Sequence, residues 1–153
     1  MSKDSLPEQP GPVDVALAYG RAKSQQDIET ALRFCSDDFA LDCPPLGTSS
    51  RGSDAVRADL ERFFEAFPDY RFVCDGAASS DDGVVLWGRA QMTWTGRATR
   101  LIKLSERSVE IPATAVFSMA PSGLLASELF LFDGLSLAKQ MGIPATLFSL
   151  LRG

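Results

Sequence analysis

Leu129-Phe130-Leu131-Phe132-Asp133-Gly134 is the stretch that decides the fold: four consecutive apolar residues run into a single carboxylate and then into a helix start. Ala120-Pro121-Ser122-Gly123 turns the chain into this strand, which extends over Leu124 to Phe132. Neighbouring side chains point to opposite faces of a strand, so Leu129 to Phe132 are expected to be buried on both sides. Beyond Asp133 the period changes, and Gly134 to Met141 reads as a last helix closed by Gly142. Ile143 to Leu151 follows as an apolar tail suited to cover a pocket or a partner.

Upstream of this strand the sequence alternates. In Val84 to Thr95, Val84, Leu86, Ala90, Met92 and Trp94 share one side, and Trp87, Arg89, Gln91, Thr93 and Thr95 the other. One side packs, and the other meets water, a subunit partner or a pocket wall. Arg71 to Ala78, Leu101 to Leu104 and Ala113 to Met119 give further strand material, with Asp81-Asp82-Gly83 as a turn.

Nearer the N-terminus the period becomes helical. Pro12 to about Lys23 is a first helix entered through proline, and Asp27 to Cys35 a short second one, ended by Ser36-Asp37-Asp38 before a short strand, Phe39 to Cys43. Pro44 to Gly52 reads as a loop. Ser53 has the character of an N-cap for a third helix carrying Val56, Leu60, Phe63, Phe64 and Phe67, and Pro68 stops it. Helices first and strands afterwards is an α+β pattern, a mainly antiparallel sheet packed on three N-terminal helices with a pocket between the layers.

The bulk numbers restrict function. A chain of 153 residues with 45% apolar and 23% charged residues fits one globular domain, residues 12–153, after a flexible polar tail, residues 1–11. The formal charge of −5 and the scattered fifteen Lys and Arg argue against a nucleic-acid partner. No stretch approaches the roughly 18 apolar residues of a spanning helix, and the start lacks the pattern of a signal peptide. A cytoplasmic protein without membrane contact is expected. The three cysteines, Cys35, Cys43 and Cys74, lack metal-knuckle spacing and read as reduced, buried thiols, with no metal and no cofactor expected. The chain has no His, so any acid/base work falls to carboxylates, Tyr, Lys or Cys.

Three further strings carry a resemblance: RGSDAVR at Arg51 to Arg57, FPDYRF at Phe67 to Phe72, and DGLSLAKQMG from Asp133 to Gly142. Together with Asp27-Ile28-Glu29-Thr30-Ala31-Leu32 and Cys43-Pro44, they resemble the SnoaL-like branch of the nuclear transport factor 2-like superfamily, which contains polyketide cyclases. The resemblance spans roughly Pro12 to Gly142. It implies a cone-shaped barrel of helices on a curved sheet, a small hydrophobic, polyketide-like substrate, and a cyclase or isomerase reaction. It also implies that the aspartate ending the last strand, here Asp133, acts as acid/base without metal or cofactor, and that the polar sheet face pairs two copies into a homodimer.

On physical grounds, a carboxylate in an apolar pocket has a raised pKa and serves as both base and returning acid. The rival role for Asp133 is a helix N-cap. The cyclases also use a histidine near the pocket, which this chain lacks, so Asp133 is expected to act with a donor such as Tyr19 or with ordered water. Tyr19 lies eight residues before Asp27, the spacing of the oxyanion-hole tyrosine in ketosteroid isomerases, but that family's base position is Cys43, and its protonated aspartate is replaced near Ala115. The Asp-Arg-Asp set of limonene-epoxide hydrolases is incomplete, since Gln91 follows Arg89. Candidate substrate contacts are Tyr19, Asp42, Trp87 and Leu131, with Trp87 and Arg89 equally suited to a subunit interface. Three readings stand: a cyclase or isomerase acting through Asp133, a non-catalytic small-molecule binder, and a dimeric interaction module.

Overall fold

The computed structural model describes residues 9–95, 105–144 and 146–147. Helix α1 (Pro12–Ser24) starts at a proline, whose missing N–H costs nothing in a first turn, and the Gly11 N–H is held by the Asp14 carboxylate at 3.1 Å. Its buried residues Val15, Ala16, Tyr19, Ala22 and Lys23 recur at three- and four-residue spacing, so one face of α1 meets the core. Helix α2 (Ile28–Arg33) is capped by Asp27, which accepts from the Thr30 N–H at 3.0 Å.

Strand β1 (Cys35–Cys43) begins four residues earlier than the sequence suggests. Cys35 is paired with Leu125, and a register shift precedes Ala40, so tertiary pairing extends Ser36 to Asp38 against their turn character. A short 3-10 turn, Pro44–Leu46, leads to strand β2 (Thr48–Arg51), inside the expected loop, because its backbone completes an antiparallel ladder with β1. Helix α3 (Ser53–Ala66) is capped at Gly52, so Ser53 is its first residue and not its cap. Gly52 has φ +84°, where an L side chain is strained, so its backbone sets the entry to the helix.

Strands β3 (Arg71–Ser79), β4 (Gly83–Trp94), β5 (Arg107–Met119) and β6 (Leu125–Phe132) finish the sheet. Helix α4 (Gly134–Met141) ends at Gly142, whose φ of +72° suits a left-handed C-cap. The expected strand at Leu101 to Leu104 lies outside the described residues, as does most of the apolar tail, of which Ile143 is buried.

Among the described residues the fold is α+β, with helices α1 to α4 laid against a curved, unclosed six-stranded sheet of order β2-β1-β6-β5-β4-β3. Among these strands only the β1–β6 pair is parallel. The alternation in β4 is realised, since Val84, Leu86, Ala90, Met92 and Trp94 are all buried while Trp87 is exposed. Strand β6 departs from expectation. Glu128 and Phe130 are buried on its inner face, but Leu131 is 37% exposed on the outer one, because no helix described here covers that side.

Candidate functional site

Tyr19 and Lys23 stand four residues apart on α1, hence one above the other on its buried face. Opposite them β6 presents Glu128, which is 2% exposed. The Lys23 ammonium donates to both Glu128 oxygens at 3.0 Å, and the Tyr19 hydroxyl donates to Oε2 at 2.6 Å. The carboxylate thus has both oxygens occupied, the condition under which a buried charge is tolerable. Rings enclose the group: Lys23 Nζ lies 5.1 Å from the Tyr19 ring centre and 5.4 Å from that of Phe130, and Tyr19 packs edge-on against Phe117. Burial first, and the Glu128 charge next, raise the Tyr19 pKa well above the ordinary phenol value, so Tyr19 is a neutral donor.

Lys23 also belongs to the wall of a pocket of about 270 Å³ between α3 and the inner sheet face. Leu41 and Cys43 of β1, Leu60, Phe63 and Phe67 of α3, Tyr70 and Phe130 form most of its apolar lining. The size is at the low end for small-molecule sites, suiting a ligand of one or two rings. An ammonium has three N–H donors, and with two on Glu128 one remains for an acceptor in the pocket. Asp59 is the one carboxylate in this wall; it is paired with Arg62, which is largely exposed at the rim. Burial pushes the Cys43 thiol up to about 11 and that of Cys35 up to about 12, which disfavours the reactive thiolate, whereas Cys74 is exposed near the bulge of β3 and not buried as expected.

The residues expected from sequence are dispersed. Tyr19 is buried and turned toward Glu128, behind the pocket-lining Lys23. Asp42 is half-buried on the opposite face of β1 from Leu41 and Cys43, where it accepts from the Ser49 hydroxyl at 2.6 Å. Trp87, 44% exposed, and Leu131 are on the outer sheet face around a shallow depression with Asp75 and Pro112, and Arg89 pairs there with Asp75 at 3.3 Å. None of Tyr19, Asp42, Trp87, Leu131 and Asp133 is among the residues lining the pocket between α3 and the sheet.

Asp133 is exposed at the N-terminus of α4, accepting from the Leu135 N–H at 3.0 Å and the Ser136 hydroxyl at 2.6 Å. Those bonds, Ser136's foremost, hold its carboxyl below the usual range, opposite to the rise that an apolar pocket would cause. Lys23, Asp59, Tyr70 and Glu128 were not singled out by the sequence. The available signals were the i, i+4 spacing of Lys23 behind Tyr19 and the parity of Glu128 with Phe130 on one face of β6. Among the described residues, no helix is long and apolar enough to cross a membrane, and no three acidic or cysteine side chains gather as a metal site.

The profile of the SnoaL-like domain matches residues 16–128. In fold, the chain is similar to a candidate SnoaL-like polyketide cyclase from Shewanella denitrificans, at TM-score 0.76 and 19% identity over 86% of this chain and 96% of the other. A second, from Jannaschia, superposes at TM-score 0.76 and 18% identity over 94% and 99% of the two chains. TerC, co-crystallized with polyporic acid, superposes at TM-score 0.71 and 17% identity over 86% and 98%. No curated protein matches the sequence.

Proposed function

The chain belongs to the SnoaL-like domain family, and on that premise we propose that it is a cyclase or isomerase acting by acid/base chemistry on a small hydrophobic, polyketide-like substrate bearing a carbonyl group. The observation that carries the reading is the Lys23 ammonium, held by both Glu128 oxygens at 3.0 Å while it lines an apolar pocket. A ligand carbonyl accepting from the remaining Lys23 N–H becomes electrophilic, and its α-hydrogens become acidic. Glu128 is buried and fully engaged, so it positions Lys23 and does not take the proton. We assign that step to Asp59, the carboxylate among the residues lining the pocket. Its oxygen receives the α-proton, and the C–H electron pair moves into the enolate, whose negative oxygen rests on Lys23. Attack of that carbon on a second carbonyl closes a ring, and Asp59 returns its proton to the alkoxide so formed; return of the proton to another carbon of the enolate isomerises the substrate instead.

In this proposal the acid/base role expected of Asp133 passes to the pocket, and Asp133 keeps the cap. The apolar walls exclude water, which strengthens the contact between Lys23 and the developing charge. The fold neighbour crystallised with polyporic acid lends support at the level of the fold, as a protein of this architecture presented with an organic ligand.

The test is proton exchange on 2-tetralone, a two-ring enolisable ketone, in deuterated buffer followed by proton NMR. The protein is expected to accelerate loss of the α-proton signals, Asp59→Asn to slow that step by about 100-fold or more, and Asp133→Asn to leave it unchanged. Binding of the ketone without exchange above the buffer rate would establish the non-catalytic binder instead.

A further inference from the structure

Tyr70 follows the Pro68-Asp69 turn and opens into the same pocket as Lys23. It is 2% exposed, and its ring is fixed by edge contacts with Phe63 at 5.0 Å and Phe130 at 6.5 Å. Its backbone is satisfied, since the carbonyl accepts from Gln26 Nε2 at 2.6 Å and the N–H donates to the Phe67 carbonyl. Its hydroxyl has no hydrogen-bond partner among the described residues, whereas the other deeply buried phenol, Tyr19, is bound at 2.6 Å to Glu128. The hydroxyl is not one of the fully enclosed unpaired side-chain atoms, and Tyr70 lines the pocket, so the pocket is where its O–H finds an acceptor.

We infer that Tyr70 is a second donor to the ligand oxygen, so that its O–H and the free Lys23 N–H converge on one oxygen and select ligands carrying a ketone or enol on an otherwise apolar ring system. The inference rests on the proposed pocket chemistry and extends it by a catalytic residue and a ligand class. Burial foremost, and then the Glu128 charge, raise the Tyr70 pKa above the ordinary phenol value, which keeps the proton on the donor while negative charge grows on the ligand. Two donors on one oxygen favour the enolate over the ketone, because the hydrogen bonds strengthen as the oxygen gains charge. The aromatic walls formed by Phe63, Phe67 and Phe130 suit a flat ring held by its faces and edges.

The experiment compares 2-naphthol, which has the shape of the 2-tetralone enol, with naphthalene, which lacks the oxygen. Affinities for wild type and Tyr70→Phe are measured by fluorescence titration. The phenylalanine keeps the ring and its packing, so folding is not at stake. Wild type is expected to prefer 2-naphthol, and Tyr70→Phe to lose about three- to tenfold in affinity for it while binding naphthalene as before. An unchanged preference in Tyr70→Phe, or none in wild type, overturns the inference. The ketone exchange assay with Asp59→Asn reads the pocket chemistry separately, so a negative result here with exchange intact removes Tyr70 alone.

Discussion

Two carboxylates at the end of one strand show how little residue type alone decides. Glu128 and Asp133 are five positions apart on β6 and its exit, and the structure puts them in opposite environments. Glu128 is on the inner face, desolvated, with a lysine and a phenol on its oxygens. Asp133 is one residue past the strand, in water, with the first turn of α4 on its oxygens. Glu128 holds the pocket-lining Lys23, and Asp133 starts a helix. The difference comes from strand parity and from what the facing element offers, since α1 brings Lys23 and Tyr19 to one carboxylate and nothing comparable to the other.

The sharpest way to break this contrast is to remove the partner of the buried group. Lys23→Met leaves the Glu128 charge with only Tyr19, and a loss of about 3–5 kcal/mol in unfolding free energy is expected by urea titration. The triple replacement Lys23→Met, Glu128→Leu, Tyr19→Phe removes every member of the set, and most of that loss should return while ketone exchange stays abolished. A stable but inactive triple variant would show that the polar set serves chemistry and not stability. Failure of the triple variant to recover would mean that packing around it is as demanding as its charge.

A smaller effect is expected for Tyr19→Phe, which deletes one bond to a charged acceptor and leaves Lys23 in place: about 1.5–3 kcal/mol near neutral pH. The sign of its pH dependence follows from the raised pKa of Tyr19. Below about pH 10 the phenol is neutral in both folded and unfolded chains and the contribution is complete. Above that the unfolded chain ionises first, and the stability is lost as pH rises toward the folded value. Wild type should therefore lose stability at alkaline pH more steeply than Tyr19→Phe.

How much of this was legible in the sequence differs between the two carboxylates. The alternation of β4, the boundaries of α4 and the layer order were readable, because each is set by local periodicity or by a glycine with positive φ. The early start of β1 and the existence of β2 were not, because they depend on ladders with partners far along the chain. The cap on Asp133 was legible as an alternative, since its bonds run to the next three residues. The Lys23–Glu128 pair joins residues 105 positions apart, and no pattern within either segment reveals the match. Tyr70 was passed over for a related reason, since its place in the pocket wall depends on residues far along the chain.

The smallest effect belongs to Asp133, and it separates a cap from a base. Asp133→Ala takes an acceptor from the Leu135 N–H and the Ser136 hydroxyl at an exposed helix end, so a fall of a few degrees or less in Tm is expected at neutral pH. Its pH dependence runs opposite to that of Tyr19. The folded pKa is held down by the bonds from Ser136 and Leu135, so the contribution is complete above the unfolded carboxylate value of about 4 and is lost as pH falls through the folded one. The gap in Tm between wild type and Asp133→Ala should accordingly close on acidification below about pH 4. A cap with this profile and no change in ketone exchange places Asp133 with the fold. A loss of exchange at unchanged Tm would return it to the chemistry, and the Lys23–Glu128 pair would then be support for a site that opens elsewhere.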